Sequence, residues 1–224
     1  MSFVTGSAAA STAAASFAWY RDADVRMAIG LYCLGALAAI SFDEGMPMWA
    51  TSPREAHGLG LKAHDVGTIQ GAGGVVTCLT PLVLPALQRR LGGAVRAARF
   101  GALLAAPATL LFPATRWLAS RRAVIALGAA LLVPREIGKS CLFIAAFQLI
   151  SAAAPTQHVG AVNGAGMSAA ALCRAAGPSA AGAIIAWSLT NGLSFPLNYW
   201  CSFITASAVY AAIVALTFYI REPV

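Results

Sequence analysis

Along the chain, long apolar stretches alternate with short polar connections, and within the stretches there is no strict alternation of apolar and polar residues. Six such stretches lie at roughly 27 to 47, 66 to 87, 94 to 113, 123 to 150, 160 to 189 and 198 to 220. Each is long enough to cross the hydrocarbon core of a bilayer, which takes about 20 apolar residues. A backbone in hydrocarbon must satisfy its own hydrogen bonds, and barrel-type alternation is absent, so the stretches are predicted to be helices. The expected fold class is all-α: a polytopic membrane protein with a bundle of six transmembrane helices over residues 26–222. Residues 1–25 are rich in Ala and Ser, lack the basic start of a signal peptide and the arginines of a transit peptide, and read as a flexible lead-in.

Composition strengthens the membrane reading. Hydrophobic residues make up 59% of the chain and charged residues only 10%, where a soluble domain carries about 25%; mean hydropathy is +0.73. The net charge of +7 comes from 15 Lys+Arg against 8 Asp+Glu. The basic residues are scattered over short loops, which argues against a nucleic-acid partner and for a role in topology. Six spans put both termini on one side, with Arg21, Arg26, Arg89, Arg90, Arg96, Arg99 and Arg221. Arg54, Lys62, Arg116, Arg121 and Arg122 lie on the other side. The excess places the termini in the cytoplasm.

Charges inside the spans are the candidate chemistry. Arg174 sits in a run from Gly160 to Leu189 that holds no other charge. An intramembrane arginine costs roughly 2.5 to 3.5 kcal/mol on insertion scales and faces a partner, a cavity or a substrate. Asn163, Met167, Ala170 and Arg174 fall on one helical stripe. Gly160, Gly164 and Ser168, like Gly67, Gly71 and Gly74, fall on small-residue stripes suited to close helix packing. Pro178, four residues past Arg174, removes a helical hydrogen bond, so Gly177-Pro178 is either an ordinary membrane-helix kink or a conformational hinge.

In the fourth span Arg135, Glu136 and Lys139 follow Pro134 near mid-membrane, with Glu136 and Lys139 spaced i,i+3 to neutralise each other. Asp43 reads as an acid solvated at the end of the first span. Together Arg135, Lys139 and Arg174 would balance Asp43, Glu44 and Glu136 if all six shared one polar cavity.

Cys33, Cys78, Cys141, Cys173 and Cys201 lie in different spans without metal-ligand spacing and read as small buried hydrophobes. The spans hold no His/Cys/Asp cluster, so no metal or other cofactor is expected. Gly166-Met-Ser168-Ala resembles the serine motif of intramembrane proteases. That chemistry needs a histidine on a neighbouring helix, and His57, His64 and His158 are all expected in loops, so the chain is not expected to be an enzyme.

Three segments carry a family resemblance. Phe42-Asp43-Glu44-Gly45-Met46-Pro47-Met48-Trp49-Ala50, followed by Gly58-Leu59-Gly60-Leu61 and Val66-Gly67, resembles the seventh helix and following loop of the major facilitator superfamily, in its zinc-induced-facilitator-like, drug:proton antiporter-like branch. Gln88-Arg89-Arg90-Leu91-Gly92 resembles the basic turn between helices eight and nine. Gly160-Ala161-Val162-Asn163-Gly164, Ser168, Arg174, Gly177-Pro178 and Gly182 resemble helix eleven. Ser151 departs from the Asn that related sequences tend to carry.

The resemblance implies the second six helices of a twelve-helix transporter, built as a 3+3 inverted repeat. It also implies proton-coupled movement of a small-molecule solute by alternating access. Glu44, Arg135, Glu136, Lys139, Asn163 and Arg174 then become candidates for the substrate or proton pathway, with Gly177 and Pro178 as the hinge. The expected partners are the lipid bilayer, the solute, and a second six-helix half or a second copy in a homodimer. The favoured location is the plasma membrane or the vacuolar membrane. Because half a transporter cannot rock by itself, the chain is expected to be a piece of a longer protein. The alternative is a non-transporting half that assembles with or regulates a full-length transporter.

Overall fold

The computed structural model describes residues 19–222; residues 1–18, most of the expected lead-in, and residues 223–224 lie outside the described residues. After a 3-10 turn at Trp19–Arg21, six α-helices follow: α1 (Ala23–Thr51), α2 (Ala63–Leu91), α3 (Ala94–Leu111), α4 (Arg121–Ala153), α5 (Val159–Thr190) and α6 (Cys201–Leu216). There is no strand among the described residues.

Local chemistry sets the helix ends. The Asp22 carboxylate accepts from the backbone N–H groups of Asp24 (2.9 Å) and Val25 (3.1 Å), which caps α1. Gly92, at φ 82°, takes the left-handed conformation that ends α2. Helices α1, α2, α4 and α5 continue through Pro47, Pro81 and Pro85, Pro134 and Pro178. Membrane helices tolerate such interruptions because neighbouring groups re-satisfy the freed carbonyls.

Five helices are long and apolar enough to cross a membrane, with α3 extended by the 3-10 turn Phe112–Trp117. The sixth is shorter than its apolar stretch. Asn198 holds the preceding turn by accepting from the backbone N–H of Trp200 at 3.1 Å, so α6 starts only at Cys201. Its 16 residues span roughly 24 Å at about 1.5 Å per residue.

The most extensive packing is α3 on α4, followed by α1 on α5, α2 on α4, α3 on α6, α1 on α6 and α1 on α4. Exchanging α1–α3 for α4–α6 maps this set of pairs onto itself: α1–α5 becomes α4–α2, and α3–α4 becomes α6–α1. That is the internal symmetry of a 3+3 repeat, and with three helices per unit the repeats run in opposite directions. The two apolar cores are a small-residue layer around Ala97, Ala98, Ala102, Ala145 and Ala146, and an aromatic layer around Phe42, Trp49, Phe112, Tyr199 and Phe203.

The glycine stripes behave differently from expectation. A Cβ placed on Gly67, Gly71, Gly74, Gly160 or Gly164 would meet nothing within 4 Å, so these stripes are open and not packed within the bundle. The close approaches use other glycines. On Gly101 a Cβ would sit 2.5 Å from the Gly138 carbonyl oxygen, and on Gly73 it would sit 2.8 Å from Leu132 Cδ2. The reason is that spacing alone gives two or more small-residue faces per helix, and burial selects among them. Accordingly α2 and α5 are the least covered of the five long helices.

Candidate functional site

Asp43 of α1 meets Arg135, Glu136 and Lys139 of α4 inside the bundle. Arg135 is 1% exposed. Its Nη1 lies 2.8 Å from Asp43 Oδ1 and pairs with Glu136 Oε1, while Nη2 donates to the Ala39 carbonyl at 3.1 Å. The guanidinium plane also covers the Phe42 ring, 4.0 Å from its centroid. Lys139 Nζ stands 2.6 Å from Glu136 Oε2 and 3.4 Å from Asp43 Oδ2. From α2, Thr77 Oγ1 donates to Glu136 Oε2 at 2.9 Å. Two cations and two anions thus form one neutral quartet.

Such a cluster is tolerable in a low-dielectric interior only because every charge has partners. Removing one partner of a buried pair costs about 3–5 kcal/mol. From α6, Tyr210 stands close enough to Arg135 to feel its charge, but neither the Tyr210 hydroxyl nor Arg135 Nε has a partner at good hydrogen-bond geometry.

Three members of the quartet line a cavity of about 400 Å³ between α1, α2 and α4, with Arg135 behind them. Asp43, Glu136 and Lys139 line it together with Gln70, Thr77 and Cys78, over an apolar floor of Phe42, Met46 and Leu132. The members of the quartet differ in access: the side chains of Arg135 and Glu136 are 1% and 6% exposed, those of Lys139 and Asp43 18% and 39%. The Asp43 carboxylate and the Lys139 ammonium are therefore the more accessible charges of the cluster.

Three of the six residues expected on the pathway, Arg135, Glu136 and Lys139, come together here. Glu44 and Arg174 do not. Both are exposed, and neither makes an ion pair among the described residues. Arg174 instead lies near Cys33 of α1, beside Cys173. Asn163 donates to Ser151 Oγ at 3.0 Å, tying α5 to the end of α4. The stripe from Asn163 to Arg174 is consequently split, with Met167 exposed and Ala170 buried.

Gly177 is a packing contact: a Cβ there would collide with Ile40 of α1. His64 lies in the first turn of α2 and not in a loop. Among the described residues no group of three or more His, Cys, Asp or Glu could hold a metal ion.

Asp43 is the residue that sequence reasoning placed wrongly, as an interfacial acid. Its distance from Arg26 suggests the end of a span, but α1 runs on to Thr51. This puts the carboxylate roughly 12 Å inside the helix end at about 1.5 Å per residue. Gly45, Met46, Trp49 and Ala50, all buried, are the signal that the span continues. Thr77 and Gln70 gave no such signal, since lone polar residues near open glycines look alike on every face of α2.

Comparison with known proteins gives relatives of one kind. The chain is 30% identical over 189 residues to Protein ZINC INDUCED FACILITATOR-LIKE 1 of Arabidopsis thaliana, covering 84% of this chain and 39% of that protein. It is 26% identical over 216 residues to Protein ZINC INDUCED FACILITATOR 1 of the same plant, covering 96% and 44%. It is also 30% identical over 184 residues to the Major facilitator superfamily multidrug transporter mfsB of Aspergillus fumigatus, covering 75% and 30%. The chain therefore spans less than half the length of these relatives. No family model matches it, and no solved structure does.

Proposed function

Because the chain belongs to the major facilitator superfamily as an integral, multi-pass membrane protein of partial length, we propose that it supplies half of a secondary active transporter. In this reading it moves a small solute across a membrane, coupled to protons, by alternating access with a second six-helix half. The observation that carries the proposal is the neutral quartet on a cavity wall at mid-bundle: a polar cluster so placed lines a pathway or binds a solute.

Arg135 and Glu136 hold the cluster together. Lys139 and Asp43 are the members a solute reaches. Glu44, Asn163 and Arg174 belong to the same pathway only if the second half closes over them. Gly177 and Pro178 serve as the hinge of α5. The missing wall is supplied by the rest of a longer protein, by a partner chain or by a second copy, and the membrane is the plasma or vacuolar membrane. No bond-making chemistry is assigned to the chain.

The test is flux in proteoliposomes loaded with a pH-sensitive dye. They would carry the chain alone or together with the amino-terminal half of an Arabidopsis relative, and be challenged with a panel of organic ions and metal chelators. Solute-dependent proton movement that needs both halves and is lost in Lys139→Met supports the proposal. Absence of movement for every solute with both halves present refutes it. A second reading, a non-transporting half that assembles with or regulates a full-length transporter, is favoured by the open small-residue faces of α2 and α5. It predicts co-purification with a twelve-helix partner whose transport persists without this chain.

A further inference from the structure

A second cavity, of about 410 Å³, lies at the end of the bundle where the connections 52–62 and 118–120 meet; Arg54, Glu55, Leu61, Arg121 and Val124 are on its walls. It is separate from the quartet: Arg121 and Lys139 are 18 residues apart on α4, roughly 27 Å at about 1.5 Å per residue.

Its two guanidinium groups are fixed before any ligand arrives. Arg54 donates through Nε to the Leu59 carbonyl (3.3 Å) and through Nη2 to the Leu118 carbonyl (2.9 Å). Arg121 grips the Asp65 carboxylate at two points, Nε to Oδ2 at 2.9 Å and Nη2 to Oδ1 at 2.6 Å, and the same Nη2 is 2.6 Å from His64 Nε2. Asp65 is buried and also accepts from the backbone N–H of Lys62 at 3.1 Å.

In both arginines Nη1 makes no hydrogen bond to the described residues. Two restrained guanidinium groups on the cavity lining, each with Nη1 left over, form a preorganised receptor for phosphate oxygens, because the rotamer entropy is already lost and each Nη1 can donate a charge-assisted hydrogen bond.

The surroundings say which phosphate. The cavity lies at the helix ends, the level at which a bundle that crosses a bilayer meets the lipid headgroups. Trp117 is 74% exposed beside Trp200, with ring centroids 5.8 Å apart, and indoles favour that level. Around the cavity Arg54, Lys62, Arg116, Arg121 and Arg122 outnumber Glu55 and Asp65. Asp65 is engaged by Arg121, whereas Glu55 is exposed on the cavity wall and makes no ion pair among the described residues.

We propose that this cavity binds the headgroup of a membrane phospholipid, with the phosphate between Arg54 and Arg121 and an amine of the headgroup against Glu55. It is an amine-selective phospholipid site at the end of the bundle opposite the start of α1 and the end of α6.

The test is thermal unfolding of the full chain in detergent with added short-chain phosphatidylethanolamine, phosphatidylglycerol, phosphatidylcholine, diacylglycerol or inorganic phosphate. Phosphatidylethanolamine should raise the midpoint at the lowest concentration, with diacylglycerol and inorganic phosphate without effect. In Glu55→Gln the half-saturating concentration of phosphatidylethanolamine should rise about tenfold, the loss of one charge-assisted contact, while phosphatidylglycerol binding is kept or improved. Arg54→Gln should lose the response to every phospholipid, and Arg89→Gln, at the opposite end, should keep it. Should Arg54→Gln fail to fold, the Glu55→Gln comparison decides. An equal shift by diacylglycerol, a shift by inorganic phosphate alone, or an unchanged lipid ranking in Glu55→Gln overturns the proposal.

Discussion

Arg135 and Arg174 are the same side chain, each deep in an apolar helix and each close before or after a proline, though only Arg135 has charged neighbours in sequence. The fold separates them. Arg135 is buried against Asp43, Glu136, Phe42 and a backbone carbonyl, whereas Arg174 is exposed and makes no ion pair among the described residues. One charge is part of what holds α1 and α4 together. The other is available to something outside this bundle. An intramembrane charge thus marks either a structural clamp or an open contact, and only its neighbours on other helices decide which.

The sharpest way to break this comparison is to make the same substitution at both places. Arg135→Leu leaves three charges with a net of −1 in the cluster and is expected to destabilise the chain by about 3–5 kcal/mol. Arg174→Leu should change stability by no more than about 0.5 kcal/mol. Unfolding midpoints in detergent measure both, and equal losses would show that Arg174 has a structural partner after all.

A step smaller, Thr77→Val deletes the hydroxyl that donates to Glu136. The expected loss is about 1.5–3 kcal/mol, as for a hydrogen bond to a charged group, with the helix content by circular dichroism unchanged.

The glycines sharpen the same contrast between inward and outward faces. Gly73→Leu forces a side chain into Leu132 and Glu136 and should cost about 1–3 kcal/mol by overpacking. Gly164→Leu, on the open stripe of α5, should leave the midpoint of the isolated chain where it is. Loss of stability in Gly164→Leu would mean that the stripe is packed within this bundle.

The smallest effect is expected for Ser151→Ala. It removes the partner of Asn163 and should cost about 0.5–1.5 kcal/mol. The change should appear as faster hydrogen exchange at the α4–α5 connection, not around Lys139.

The helices were legible in the sequence because bilayer thickness sets a length that apolar runs must match, and five of the six matched it. The proximity of Glu136 and Lys139 was legible too, since i,i+3 spacing is a property of one helix. What required the fold were relations between helices. Nothing in the order of residues tells that Asp43 of α1 lies level with Arg135 of α4, or that Glu44, its neighbour, points elsewhere. The glycine stripes were unreadable for the same reason: a run such as Gly67, Gly71, Gly73 and Gly74 offers small residues on more than one face, and the partner helix α4 chose Gly73.

Helices α1 and α5 run parallel and in step. Gly166 lies against Ile29 and Gly177 against Ile40, the same number of residues further along each helix. Ile40 is seated in the notch left by the missing side chain of Gly177, and one helical turn on from Ile40 is Asp43. The two helices are therefore geared like a key and its slot. The Gly177 contact therefore lies one turn from the quartet, so a side chain added at Gly177 would displace Ile40 and be felt at the electrostatic centre of the bundle.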